Sequence, residues 1–162
     1  IDRALLSLKS NDFPIYYLSP RGVKLDAQIS NSISKLDGMT LVCGKYEGLD
    51  ERVIKHYNMI EISIGDYILS GGDLAAMVLI DSVVRCLPNV LGNPLTLNEE
   101  SFTNHLLEYP LYTQPREWKN YKVPDVLLSG DHKKIKNWKI KQSEDITMKR
   151  RPDLWKKYLK LK

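Results

Sequence analysis

Apolar positions along the first half of the chain follow two alternating rhythms. Short β-branched and aromatic runs, FPIYYLS (13–19), MTLVCG (39–44) and MIEISI (59–64), read as strands. Between them apolar residues recur at helical spacing. Leu25, Ile29, Ile33 and Leu36 predict a helix through 24–36, stopped by Asp37 and Gly38. A second helix over 49–57 has Asp50 near its start and Val53, Ile54 and Tyr57 facing inward. YIL (67–69) reads as a fourth, short strand. Asp73 is expected to cap a helix carrying Leu74, Met77, Ile80, Val83, Val84 and Leu87, ended by Pro88. Strands alternating with helices predict a parallel sheet covered on both faces. Glycine-bearing turns at 20–22, 44–48, 63–66 and 70–73 each follow a strand, and open parallel sheets hold ligands beyond the carboxyl ends of their strands.

The pattern changes after residue 91. GNPLTLNEESFTN (92–104) is polar with little periodicity and reads as a linker. Prolines at 110, 115 and 124 then fall among Tyr109, Tyr112, Trp118 and Tyr121, and VPDVLLSGDH (123–132) suggests a strand-like piece followed by a turn. A helix from about Lys133 to Gln142 has Ile135, Trp138 and Ile140 inward. MKRRPDLWKKYLKL (148–161) is another helix, with Pro152 near its start, where a missing N–H costs little. The expected organisation is an α/β domain over 1–91, a linker over 92–104 and a small, mostly helical domain over 105–162.

Composition narrows the class. At 162 residues, 43% apolar and 27% charged, the chain is an ordinary globular protein of one domain, or of one domain with an appendage. No run of 18 apolar residues is present, so no membrane span is expected. The opening IDRALLSLKS lacks the apolar stretch and cleavage site of a secretory signal, and without an initiator Met it reads as a start inside a longer protein. Cys43 and Cys86 are too few for a disulfide scaffold and read as buried free thiols.

Charge separates the halves. Residues 1–91 hold 9 Lys and Arg against 11 Asp and Glu; residues 92–162 hold 15 against 9. A neutral to acidic body with a basic attachment points to a polyanionic partner, although a solvated lysine-rich helix face gives the same signal.

Several chemistries lack support. No GxxxxGK[ST], no GxGxxG after a strand and no GxSxG elbow occurs, and His56, His105 and His132 have no metal-ligand spacing. Arg85 stands in the apolar stretch DSVVRCLP, where a guanidinium needs a polar partner, or reaches water from a helix end. Glu99 and Glu100 are an acidic pair in the linker, or the start of another helix.

Taken together, YLSPRG (17–22), LVCGKYEGLDERV (41–53), SIGDYILSGGD (63–73) and LLEYPLYTQP (106–115) resemble the bacterial tRNA (guanine-N1)-methyltransferases of the TrmD type. VLLSGDH, WKIKQS and RRPDL continue the match. The resemblance implies an α/β, SPOUT-type parallel sheet with a deep trefoil knot, a linker, and a small helical C-terminal domain that grips tRNA. It also implies a stretch of chain before Ile1, including a glycine-rich loop near the target base.

The resemblance further implies binding of S-adenosyl-L-methionine by three loops. These match Tyr17, Leu18, Ser19, Pro20 and Gly22; Gly44, Tyr46, Glu47 and Gly48; and Ser63, Ile64, Gly65, Asp66, Tyr67, Ile68, Leu69, Gly71 and Gly72. Gly65, Gly71 and Gly72 would let backbone reach the adenine edge, with Ile64, Tyr67 and Leu69 as apolar walls. Arg85 matches the catalytic arginine, and Glu100 falls where the family commonly has an aspartate base, with Glu99 the neighbouring candidate. Lys45 stands where an arginine is common. The implied reaction methylates N1 of the guanosine 3′ to the anticodon (position 37), in the cytoplasm, by a homodimer with a shared active site. The family is associated with Mg2+. Lys133, Lys134, Lys136, Lys149, Arg150 and Arg151 are the expected phosphate contacts. Competing readings are a non-catalytic RNA-binding protein and a different SPOUT methyltransferase acting on ribose or ribosomal RNA.

Overall fold

A computed structural model describes residues 1–8, 13–45, 47–91 and 100–162. The chain divides into two compact units, residues 1–92 and 93–162.

In the first unit, β1 (Ile15–Lys24) lies between β2 (Thr40–Cys43) and β3 (Ile60–Ser63), and both pairings are parallel. Successive β1 residues serve opposite faces, as the two-residue period of a strand requires. Tyr16 and Leu18 join Ile62 and the buried residues of α2 (Ala27–Ile33) and α4 (Asp73–Val84). Tyr17 joins Val42, Met59, Leu5 of α1 (Asp2–Leu6) and Ile54 of α3 (Glu51–His56). The alternation of strands and helices therefore gives the expected sheet, covered on both faces.

Pro20, Arg21 and Gly22 do not end the first strand as expected. Leu18 and Val23 both stand opposite Ile62, so residues 19–22 form an excursion within β1, after which pairing with β3 resumes. Gly22 permits this approach, since a Cβ there would overlap the backbone carbon of Glu61 and nitrogen of Ile62. Tyr67, Ile68 and Leu69 form no strand; they follow bends after β3, and Ile68 is 79% exposed. The short apolar run imitates a strand but has no ladder partner.

Asp26 caps α2, its carboxylate accepting the Ile29 N–H at 2.9 Å. That helix is shorter than its pattern, ending before the exposed Leu36. Asp73 is not a cap. Gly72 occupies that position without a side-chain bond, and Asp73 places its carboxylate in the first turn of α4, a favourable end of the helix dipole. The helix ends at Val84, short of Pro88. Its buried face is Ala75, Ala76, Leu79 and Val83, whereas Leu74, Met77, Ile80, Val84 and Leu87 are exposed. Ala75 and Ala76 join Leu79 and Val83 in the core, and the remaining large apolar residues face away.

In the second unit, a 3-10 turn (Thr103–His105) is followed by a hairpin, β4 (Glu117–Trp118) and β5 (Tyr121–Lys122). Lys119 and Asn120 have φ of +47° and +66°, the sign a two-residue primed turn demands. The strand-like reading of VPDVLLSGDH is replaced by α5 (Asp125–Leu128). Asp131 caps α6 (His132–Arg150) by accepting the Lys133 and Lys134 N–H groups, both at 3.1 Å. Met148 to Arg150 belong to this helix, and α7 (Pro152–Leu159) starts at the proline itself. Ile135 and Trp138 are half-buried, but Ile140 is exposed. The most enclosed residue is Thr147, 0% exposed, whose Oγ1 accepts the Leu107 N–H at 2.8 Å and donates to the Ser143 carbonyl at 2.6 Å. The expected linker lies mainly in 92–99, outside the described residues.

Candidate functional site

Three connections leave the carboxyl ends of the parallel strands and enclose a cavity of about 440 Å³. The β1 excursion contributes Ser19, Pro20 and Arg21; the segment after β2 contributes Gly44, Lys45, Glu47 and Gly48; the segment after β3 contributes Ile64 to Gly72 except Asp66. Tyr17, Leu18, Ile62 and Ser63 form the strand-side wall, and Ala75 of α4 closes one edge. This volume lies in the range of small-molecule sites.

Short hydrogen bonds fix the walls. Ser63 Oγ accepts the Gly65 N–H at 3.2 Å and donates to the Gly65 carbonyl at 3.1 Å, locking the exit from β3. The Gly72 N–H donates to the Gly44 carbonyl at 2.8 Å, and Lys45 and Gly71 form an antiparallel bridge. Thus the second and third connections are joined through backbone. Gly72 is needed for that join: a Cβ would come within 2.9 Å of the Cys43 Cα. Gly71 is different, because its nearest neighbour would be 3.8 Å away and a side chain has room.

Arg21 ties the first connection down. Its Nη2 donates to Glu51 at 3.1 Å and to both Glu61 carboxylate oxygens at 3.2 and 3.3 Å, while its backbone N–H donates to Ser19 Oγ at 3.2 Å. The hydrogen bond it donates to Glu51 and the charge of Glu61 raise the guanidinium pKa above its ordinary value. Lys24 pairs with Asp66 at 3.1 Å. Cys43 is half-buried rather than buried, as is Cys86. Burial, then the charge of Asp73, pushes the Cys43 thiol up and away from the reactive thiolate.

The residues expected to hold a ligand from three sequence-distant loops are thus largely brought together. Gly22 and Asp66 are the exceptions: neither lines the cavity, Gly22 because it lies against β3 and Asp66 because its carboxylate faces outward beside Lys24. Tyr46 and Glu99 lie outside the described residues. Arg85 is half-buried at the carboxyl end of α4, its N–H bonded to the Asp81 carbonyl, and Glu100 is half-buried in the second unit. Neither is among the residues around the cavity.

Sequence reasoning missed Arg21, Lys45, Leu49, Glu51, Ile62, Ser70 and Ala75 as lining residues. For Arg21 the signal is tertiary, since its carboxylate partners are 30 and 40 residues away. Among the described residues no group of three or more His, Cys, Asp or Glu is arranged to hold a metal ion. Among them, too, no helix is long and apolar enough to cross a membrane.

Residues 1–157 match the family model described as tRNA (Guanine-1)-methyltransferase TrmD. The chain is 58% identical over 146 residues to the tRNA (guanine-N(1)-)-methyltransferase of Pelagibacter ubique, covering 90% of this chain and 64% of that protein. It is 50% identical over 158 residues to the enzyme so named from Ruegeria sp. strain TM1040, covering 98% and 64%. The corresponding Wolbachia pipientis wMel protein is 49% identical over 153 residues, covering 93% and 64%. The chain therefore spans a little under two thirds of the length of these relatives. With nearly its whole length matched, it belongs to the TrmD family of tRNA (guanine-1)-methyltransferases.

Proposed function

We propose that the protein methylates N1 of the guanosine 3′ to the anticodon (position 37) of tRNA, using S-adenosyl-L-methionine. The observation that carries this reading is the cavity at the strand ends of a chain of this family, walled by residues 63–72 other than Asp66 and joined through the Gly72–Gly44 hydrogen bond. When bound there, the donor supplies a methyl group carried on a sulfonium. The cavity size fits a nucleoside, and the 63–72 segment lines it along all but Asp66. The near contact of Gly44 and Gly72 supports a deep SPOUT trefoil knot in this part of the chain.

Guanine N1 carries a proton at neutral pH and is a poor nucleophile until that proton leaves. Glu100 takes it as the general base. Negative charge then grows on O6, where the Arg85 guanidinium stabilises it. Residues 1–91 form the donor domain, residues 105–162 bind tRNA, and 92–104 connect them. The basic excess of the second half, including Lys133, Lys134 and Lys136, supports the tRNA role. A homodimer is supported by the stripe of Leu74, Met77 and Val78 that α4 leaves exposed, since a contiguous apolar face marks an interaction surface. Acting on tRNA, the protein would work in the cytoplasm.

Transfer of labelled methyl to tRNA transcripts with and without that guanosine tests the reading. Methyl incorporation only when the guanosine is present is expected, and equal or absent incorporation overturns it. Glu100→Gln is expected to slow single-turnover transfer by about 10²–10⁴-fold. Full activity in that variant removes Glu100 from the role.

A further inference from the structure

The β4–β5 hairpin carries a face that the fold does not bury. Trp118 and Tyr121 are directly opposed in its ladder, so both side chains project from one side. Glu117 and Lys122 are the other opposed pair; they occupy the reverse side and form an ion pair at 3.7 Å. The aromatic pair is 59% and 76% exposed. Single exposed aromatics are ordinary, but two on one face of a four-residue ladder form a platform. Its surroundings are cationic. Lys119 holds its ammonium 4.9 Å from the Trp118 ring centroid, and Arg116 stands at the hairpin base, where its backbone carbonyl accepts the Val123 N–H at 2.9 Å. The surrounding half of the chain carries 15 Lys and Arg against 9 Asp and Glu.

We propose that Trp118 and Tyr121 form a stacking platform for an unpaired nucleobase of the RNA substrate, with Lys119 beside a phosphate that flanks it. This rests on the reading of the protein as a tRNA-modifying enzyme. Every base offers a π-face, so stacking on aromatic rings suits a base splayed out of a loop. The cations suit a polyanion rather than an apolar protein surface. Two-torsion aromatic side chains on a short ladder with a fixed turn also lose little freedom when a base settles on them. Duplex RNA keeps its bases stacked internally and offers the platform nothing.

The test uses the full-length protein and a tRNA transcript carrying the guanosine 3′ to the anticodon. Affinity is measured between about 50 and 200 mM salt for the parent, Trp118→Ala/Tyr121→Ala, Trp118→Phe/Tyr121→Phe and Lys119→Gln. The Ala pair is expected to weaken tRNA binding and raise KM for tRNA by about tenfold to a hundredfold, while keeping the parent's salt slope. The Phe pair restores most of the affinity. Lys119→Gln instead flattens the slope by about 1. A single-stranded RNA of about ten nucleotides competes better than a duplex of equal length. Donor uptake by calorimetry stays at the parent's level in all variants, separating loss of tRNA contact from loss of fold.

The proposal is overturned if the Ala pair binds tRNA within about twofold of the parent, a change too small for a lost stacking contact. Equal competition by duplex overturns it too. So does a loss of affinity that comes with lost self-association on sedimentation, which would make the face a protein contact. A parent that binds tRNA through this face yet transfers no methyl removes the methyl-transfer reading and leaves the platform standing.

Discussion

The two units are held together by different means. The first buries a two-sided apolar core, with Leu79 at 0% and Ile62 at 2% exposure, and still leaves a row of large apolar side chains on the outer face of α4. In the second, the buried residues are Ser143, Thr147 and Leu154, among those described. Thr147 anchors the extended 105–115 segment by one hydrogen bond, and Tyr158 donates to Glu144 at 2.6 Å while Lys162 reaches the same oxygen at 2.7 Å. Apolar packing tolerates loops that make cavities, because the sheet beneath does not depend on them. A unit with so small a core relies on a few directed bonds, and its surface is released for charge.

That contrast is sharpest under substitution. Leu79→Ala should cost about 2–5 kcal/mol in urea unfolding, because a completely enclosed side chain leaves a void. A loss below 1 kcal/mol would show that this core can collapse around the gap. Gly72→Ala follows: the added methyl meets the Cys43 backbone, and overpacking of this kind costs about 1–3 kcal/mol. It should also reduce donor affinity in calorimetry, whereas Gly71→Ala, with room for its methyl, should not destabilise the fold. Thr147→Val keeps the shape but removes the acceptor for the Leu107 N–H. The expected loss is about 1–3 kcal/mol, with the 105–115 segment the first to lose hydrogen-exchange protection. Unchanged protection there would mean that ring contacts such as Tyr112 on Trp138 are sufficient.

The smallest effect is expected with acid, and in both units alike. Arg52 holds the Asp50 carboxyl down to about 2 at the start of α3, and Arg151 holds Asp153 down to about 2 in the first turn of α7. A carboxyl whose folded pKa lies below its unfolded value stabilises the fold above the unfolded value, roughly 4 for aspartate. That contribution falls away as pH drops from about 4 towards 2, so Asp50→Asn and Asp153→Asn should each flatten the acid limb of a thermal-stability profile. Both carboxylates are solvent-exposed, so the change is small and shrinks further with salt.

Much of the first unit was legible because short β-branched and aromatic runs alternate with stretches of helical spacing from Ile15 to Ser63. What misled was local likeness. Pro20-Arg21-Gly22 has the composition of a turn, yet its role depends on a strand about 40 residues away. Tyr67-Ile68-Leu69 has the composition of a strand but no partner. The orientation of α4 was not readable, because apolar residues lie on both its sides. In the second unit the hairpin escaped notice, since Lys119-Asn120 is an uncommon pair for a turn with positive φ. The loops around the cavity were readable from family motifs, while the anchoring of Arg21 was not, because nothing near it in sequence supplies its carboxylates.

Because residues 19–22 leave and rejoin the ladder opposite the same residue, Ile62, they form a closed ring rather than a free loop. The entropy of closing that ring is lost once, when the sheet forms. A molecule arriving against Ser19 and Pro20 therefore meets a wall already in place, and its affinity is not reduced by a segment that must be ordered on arrival.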